Sequence, residues 1–180
     1  MRLWELDDLV DEFVVIEASY NHHGGPHKPL VRNLLANDSR FIRFAPKVTV
    51  KIHDRSMIQI DGSWEENIWH FERAKESWGV EIARGYGMHD LLIFGHLDEI
   101  PARKTIARIR HCNVPLPLNV GIWFPDAIVD KSFRPDFPVP GNPYTLGDPA
   151  VGRPDQINGL PRGQLPNFAL GGFHASNYCI

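Results

Sequence analysis

The sequence predicts an α/β sandwich with a mostly parallel sheet. Three observations carry that expectation. Phe13-Val-Val-Ile16 and Leu91-Leu-Ile-Phe94 are continuous apolar runs, as in strands buried on both faces. Between them lie stretches with apolar residues at helical spacing. The two patterns alternate along the chain, as they do where helices connect parallel strands. With 180 residues, 43% of them hydrophobic, the chain is expected to form one domain with a real core.

Leu3, Leu6, Leu9 and Val10 share a helical stripe, so the chain opens in a short amphipathic helix. Phe13–Ile16 is the first strand, with Glu17, Ala18 and Ser19 at its carboxyl end. Asn21-His-His-Gly-Gly-Pro-His27 is a loop by composition. Leu30–Leu35 is a helix candidate. Val48, Val50 and Ile52 alternate with Thr49 and Lys51, which describes a strand with one wet face. Ser63 and Glu66 have capping-box spacing. Trp64, Ile68, Phe71 and Trp78 give the following helix a buried face, and Gly79 is its expected stop. Leu91–Phe94 is a second buried strand. Pro101 suits the first position of a helix, with Ile106 and Ile109 facing the core. After Cys112 the character changes: residues 113 to 168 hold most of the prolines and few periodic stretches. Asn119–Phe124 reads as one strand, and Leu170–Cys179 as a last short element. The organisation is a single domain, 1–180, in two halves, 1–112 and 113–180.

The formal net charge of -3 gives no general attraction to nucleic acid or an anionic membrane. No apolar run approaches the roughly 20 residues of a membrane helix. The acidic N-terminus lacks the order of a signal peptide, so the expected location is the cytoplasm. Cys112 and Cys179 do not make a disulfide framework.

Ligands of open α/β sheets bind beyond the carboxyl ends of the strands, which selects Glu17–Ser19 and Gly95–Glu99. His96 and Asp98 are two apart and would share a side of an extended backbone. Metal ions that accompany diphosphates favour oxygen ligands, and Mn²⁺ also accepts imidazole. A helix starting near Pro101 adds a positive dipole end, and Arg103 could hydrogen-bond a phosphate. On spacing alone, Asp98 and Glu99 read more readily as caps of that helix. Glu17 could accept from a ribose hydroxyl or a uracil N–H, or cap a neighbouring element. Lys28 and Arg32 suit phosphate or simple solvation. His22, His23 and His27 lack the paired spacing of a zinc site and read as a polar loop, one that could cover a ligand pocket.

Asp98-Glu-Ile-Pro-Ala-Arg103 resembles the Asp-x-Asp-Glu-Ile-Pro segment, followed by a basic residue, of glycosyltransferase family 17, the β-1,4-mannosyl-glycoprotein N-acetylglucosaminyltransferase family. Leu6–Ser19 with Gly25-Pro-His-Lys-Pro-Leu30 is similar to the family's first region. Trp64-Glu-Glu-Asn67 with His70 is similar to a family helix that is Trp-x-x-Glu-Asn-x-x-Arg. Gly172-Phe-His-Ala-Ser-Asn-Tyr-Cys179 is similar to its Gly-Trp-His-x-Ser-x-x-Cys block. The resemblance covers nearly the whole chain, most weakly over 113–165.

The resemblance implies a GT-A-like, Rossmann-type sandwich, shortened at both ends relative to the family. It implies a nucleotide-sugar donor, UDP-N-acetylglucosamine being the family's best-known one, a glycan acceptor and an inverting transfer. Residues 1–112 become the nucleotide-sugar half and 113–180 the acceptor half. The implied metal ligands are His96, Asp98 and His174, with Mn²⁺ favoured over Mg²⁺. The implied donor contacts are Glu17, Ser19, Glu99 and Arg103. The base would be an Asp or Glu, and nothing chooses among Asp126, Asp130, Asp148 and Asp155. One departure stands out: His96 occupies the place of the motif's first Asp. An inactive domain that only binds sugar nucleotide or glycan is the rival reading.

Overall fold

Phe13–Ala18 (β1) and Val48–His53 (β2) pair in parallel, from Phe13 opposite Val48 to Ala18 opposite His53. Parallel neighbours need a crossover, and the helix Val31–Asn37 (α2) lies on it. A 3₁₀ segment, Ile42–Lys47, leads into β2, and a second, Arg55–Met57, follows it. The long helix Trp64–Ala83 (α3) completes this part. The computed structural model describes residues 2–58, 64–123, 149–157, 165 and 167–174, by backbone alone at 64–69, 122–123 and 167–174. Ser63 of the expected capping box lies outside them.

The chain divides into two compact units. Val10–Ala83 is one, and Met1–Leu9 with Arg84–Ile180 is the other. The core of the Val10–Ala83 unit gathers Ala18, Tyr20, Ile58 and Phe71, with Ala74 packed against them. Phe44 is fully buried in the same unit. The helix α3 runs past the expected stop at Gly79 to Ala83. A glycine inside a helix costs about 1 kcal/mol relative to alanine. The helix continues because its buried face does, with Gly79 and Ala83 both inside.

The discontinuous unit holds Arg2–Leu6 (α1), Leu92–Phe94 (β3), Glu99–Pro101 (β4), Arg103–His111 (α4), Leu118–Trp123 (β5), Ala150–Gly152 (β6), Pro154–Ile157 (α5) and Asn167–His174 (β7). Its five strands lie in the order β3-β6-β5-β7-β4. Only β5 and β7 run parallel; the other three pairings are antiparallel. The sheet is therefore mixed, not mostly parallel. Its antiparallel partners β4 and β6 are three residues each, too short for a periodic signal. Leu6, Ile100, Ile106, Ile109, Leu118, Val120 and Val151 are buried in this unit. Ile106 and Ile109 thus face inward as their spacing predicts.

Pro101 closes β4 instead of opening a helix. β4 is an edge strand, where a residue without an N–H is tolerated. The helix α4 begins two residues later, with Ala102 at its N-cap.

Candidate functional site

β3 leads through Gly95 into a tight turn. The Glu99 N–H donates to the His96 carbonyl at 3.3 Å, which closes a turn over residues 96–99. The Glu99 carboxylate accepts the His96 N–H at 2.7 Å. Glu99 is only 1% exposed, so this charge-assisted bond forms away from bulk water. A side chain on Gly95 would bring its Cβ within 2.5 Å of Glu99 Oε2 and 3.2 Å of the Pro149 Cα. Glycine is what lets the carboxylate close on the turn.

Arg2, from α1, binds the same segment from its carbonyl side. Its guanidinium donates to the carbonyls of Ile93 (3.3 Å), Gly95 (3.3 Å) and His96 (2.8 Å). The backbone is a turn here, so strand alternation does not bring His96 and Asp98 together. They share one closed turn instead. Leu97 points its side chain to solvent at the tip, 72% exposed.

The start of α4 is capped from α1. The Arg103 N–H donates to Glu5 at 2.8 Å, so Glu5, and neither Asp98 nor Glu99, takes that N–H. The Arg103 guanidinium forks onto both oxygens of Asp8. This bidentate pair holds the guanidinium more firmly charged than usual. His174 ends β7, and the antiparallel register sets its backbone opposite Glu99.

Glu17 and Ser19 belong to the Val10–Ala83 unit. The Glu17 carboxylate accepts the N–H groups of Leu30 (2.6 Å) and Val31 (3.1 Å), at the start of α2. It thus caps a neighbouring element, the second of its two sequence readings. The Ser19 hydroxyl donates to Asp54 at 3.2 Å and accepts the Arg55 N–H at 3.0 Å. Asp54 Oδ1 also accepts from the Ser56 hydroxyl and N–H. These bonds from Ser56, then that from Ser19, hold the Asp54 carboxyl below the usual carboxylate range.

The loop 21–27 is a built turn. Asn21 Oδ1 accepts the N–H groups of His23 and Gly25, and Tyr20 bridges to Pro26. Gly24 takes a positive φ of 74°, with the Phe71 ring lying against its α-carbon. His22, His23 and His27 are exposed on this turn. Beneath it, the Tyr20 hydroxyl lies 2.7 Å from His53 Nδ1. Burial pushes the Tyr20 phenol up to about 12. Burial, then the Lys75 charge, lowers His53. Both side chains are therefore neutral at neutral pH.

The structure brings His96, Asp98 and Glu99 into one turn, places the His174 backbone in register with Glu99, and puts Arg103 just beyond β4. Glu17 and Ser19 stand at the carboxyl end of β1, in the other unit. Of the candidate bases, Asp155 lies exposed in the first turn of α5; Asp126, Asp130 and Asp148 lie outside the described residues. Sequence reading missed Asp54 and Arg55, whose signal was their place directly after a strand. It also missed Glu72 and Glu76, one helical turn apart on α3, with carboxylate oxygens within 4.8 Å of each other. Such a pair could share one cation.

No helix among the described residues is long and apolar enough to cross a membrane. Comparison with curated proteins and with solved structures gave no significant match. A family model described as Glycosyltransferase family 17 matches residues 1–122. The matched span contains Glu17, Ser19 and the whole turn with its flanks from β3 to α4. On that match the chain belongs to glycosyltransferase family 17.

Proposed function

We propose that the chain transfers a sugar, N-acetylglucosamine, from its UDP donor to a hydroxyl of a glycan acceptor, with inversion and with a divalent metal, on a GT-A-like fold. The observation that carries the reading is the family match across residues 1–122, which contains the 96–99 turn. The donor set supports a metal of intermediate character. His96 offers imidazole nitrogen and Asp98 carboxylate oxygen from one closed turn, and the register of β4 with β7 sets the His174 backbone beside it. A mixed nitrogen and oxygen set suits Mn²⁺ better than Mg²⁺.

In this reading His96, Asp98 and His174 hold the metal. Glu99 is a positioning residue, since its carboxylate fixes the His96 backbone. Glu17, Ser19 and Arg103 complete the donor contacts. The bound cation supplies a Lewis acid for the charge that develops on the departing UDP. The acceptor oxygen attacks the anomeric carbon from the face opposite the diphosphate. The bond from that carbon to the diphosphate oxygen breaks, and the acceptor's proton passes to a carboxylate base.

One observation favours a second reading. His96 removes a negative charge from the place where the family motif has Asp, which suits a domain that binds donor without turning it over. UDP release from UDP-N-acetylglucosamine by the purified chain, with and without Mn²⁺, separates the two. Transfer predicts Mn²⁺-dependent release that disappears in His96→Ala and Asp98→Ala. Donor binding without release favours the second reading. Release that persists in both variants overturns the assigned metal site.

A further inference from the structure

Arg55 stands just beyond the end of β2, partly buried. Its Nε donates to the Gly24 carbonyl at 3.3 Å, and its Nη1 to the Ile58 carbonyl at 3.4 Å. Its guanidinium carbon lies 5.1 Å from the centre of the Phe71 ring. All these partners are neutral. Arg40 and Arg103, by contrast, are each forked onto a carboxylate, Asp38 and Asp8.

No carboxylate pairs with Arg55 among the described residues. Its chain neighbour Asp54 commits both oxygens to Ser19 and Ser56. Tyr20, close enough to feel the Arg55 charge, is held neutral by burial, and His53 is neutral beside it. A guanidinium that has lost part of its hydration regains dipoles from carbonyls and a ring, but no opposite charge. The carbonyls and the ring also fix its plane, so little side-chain freedom remains to be lost on binding. Its Nη2 has no partner among the described residues.

We propose that Arg55 binds an oxyanion, the phosphate or carboxylate group of a ligand that sits at the carboxyl end of the β1–β2 pair. Anion binding at Arg55 does not depend on sugar transfer. A phosphate and a carboxylate present the same paired oxygens to a guanidinium fork, so the two sources differ only in what carries them.

Isothermal titration of the full chain with inorganic pyrophosphate, and separately with glucuronate, tests the proposal. At least one anion binds, and the arm that binds names the source. Arg55→Met weakens that anion about tenfold or more, the loss expected for one charge-assisted fork. Arg55→Lys, which keeps the charge and lacks the fork, falls in between. Arg40→Met leaves binding unchanged, because its guanidinium is already paired. Ligand-free melting curves check that each variant is folded, and Arg55→Lys serves where Arg55→Met is not. Failure of both anions to bind the wild type at millimolar concentration overturns the proposal. So does equal affinity in folded Arg55 variants, or an equal loss in Arg40→Met. Sugar turnover is not read here, so failure of this site and failure of the proposed transfer are seen in different experiments.

Discussion

Tyr20 and His53 join the carboxyl ends of two parallel strands through a single hydrogen bond. The phenol oxygen lies 2.7 Å from His53 Nδ1, and each residue is 3% exposed. Phe71 packs on the tyrosine at 5.3 Å between ring centres, and Trp78 on the histidine at 5.1 Å. The pair is thus closed in by aromatic rings, and burial there disfavours the charged imidazole.

That penalty makes stability sensitive to mild acid. The folded His53 holds its proton less well than the unfolded one, whose value is about 6.5. Its contribution is complete above about pH 6.5 and is lost as the pH falls towards the folded value. Asp38 and Asp54 are also lowered, but their losses come in the carboxylate range, below about pH 4. Urea midpoints measured between about pH 7 and pH 5 should fall in the wild type and fall less in His53→Gln. Parallel slopes in the two proteins contradict this account.

Gly24→Ala should destabilise the chain by about 2–4 kcal/mol. The residue has a left-handed φ of 74°, and a methyl group would lie 2.4 Å from Phe71 Cζ. The estimate adds roughly 1 kcal/mol of backbone strain to about 1–3 for overpacking. Chemical denaturation reads it directly. A loss below about 0.5 kcal/mol would mean that Phe71 moves aside freely.

Gly95→Ala acts on the turn. The new methyl group meets the Glu99 carboxylate and the Pro149 backbone, and the backbone cannot rotate away. The expected cost is about 1–3 kcal/mol. Glu99→Gln keeps the shape and removes the charge from the bond to His96, for about 1–2 kcal/mol. Both variants should raise the Mn²⁺ concentration needed for half-maximal donor turnover. Unchanged metal dependence in both would detach Glu99 from the positioning of His96.

Asp8 occupies the fork of Arg103 that a diphosphate would use. Asp8→Asn should therefore tighten UDP binding several-fold, because the guanidinium is released while Glu5 still caps the helix. Titration of UDP into the two proteins decides it. Weaker binding in Asp8→Asn would show that the ion pair orients Arg103 for the ligand.

The alternation that announced an α/β chain was carried by long runs. Phe13–Ile16, Phe71 of the α3 stripe, and the pair Ile106 and Ile109 all lie where their spacing puts them. The mixed sheet was illegible because β4 and β6 have three residues each, and their direction is set by partners distant in sequence. Pro101 misled for a physical reason: an edge strand and a helix start both tolerate a missing N–H. The candidate turn was located by its acids and its motif, whereas its geometry was not. The bond from His96 N–H to Glu99 and the grip of Arg2 across 94 residues leave no local trace. Glu17 was named for a ligand and as a cap, and its distance to Leu30 supplied what spacing could not.

The discontinuous unit has a consequence for synthesis. Arg2, Glu5 and Asp8 leave the ribosome well ahead of their partners, which lie between Ile93 and Arg103. At about 5–20 residues per second, α1 spends roughly 5–20 s without the segment it grips. The residues of the Val10–Ala83 unit, contiguous in sequence, are all made within that interval. That unit can thus be ordered while α1 is still exposed. A chaperone or protease would find its opening at α1, and the 96–99 turn acquires its clamp only when the two ends of that interval meet.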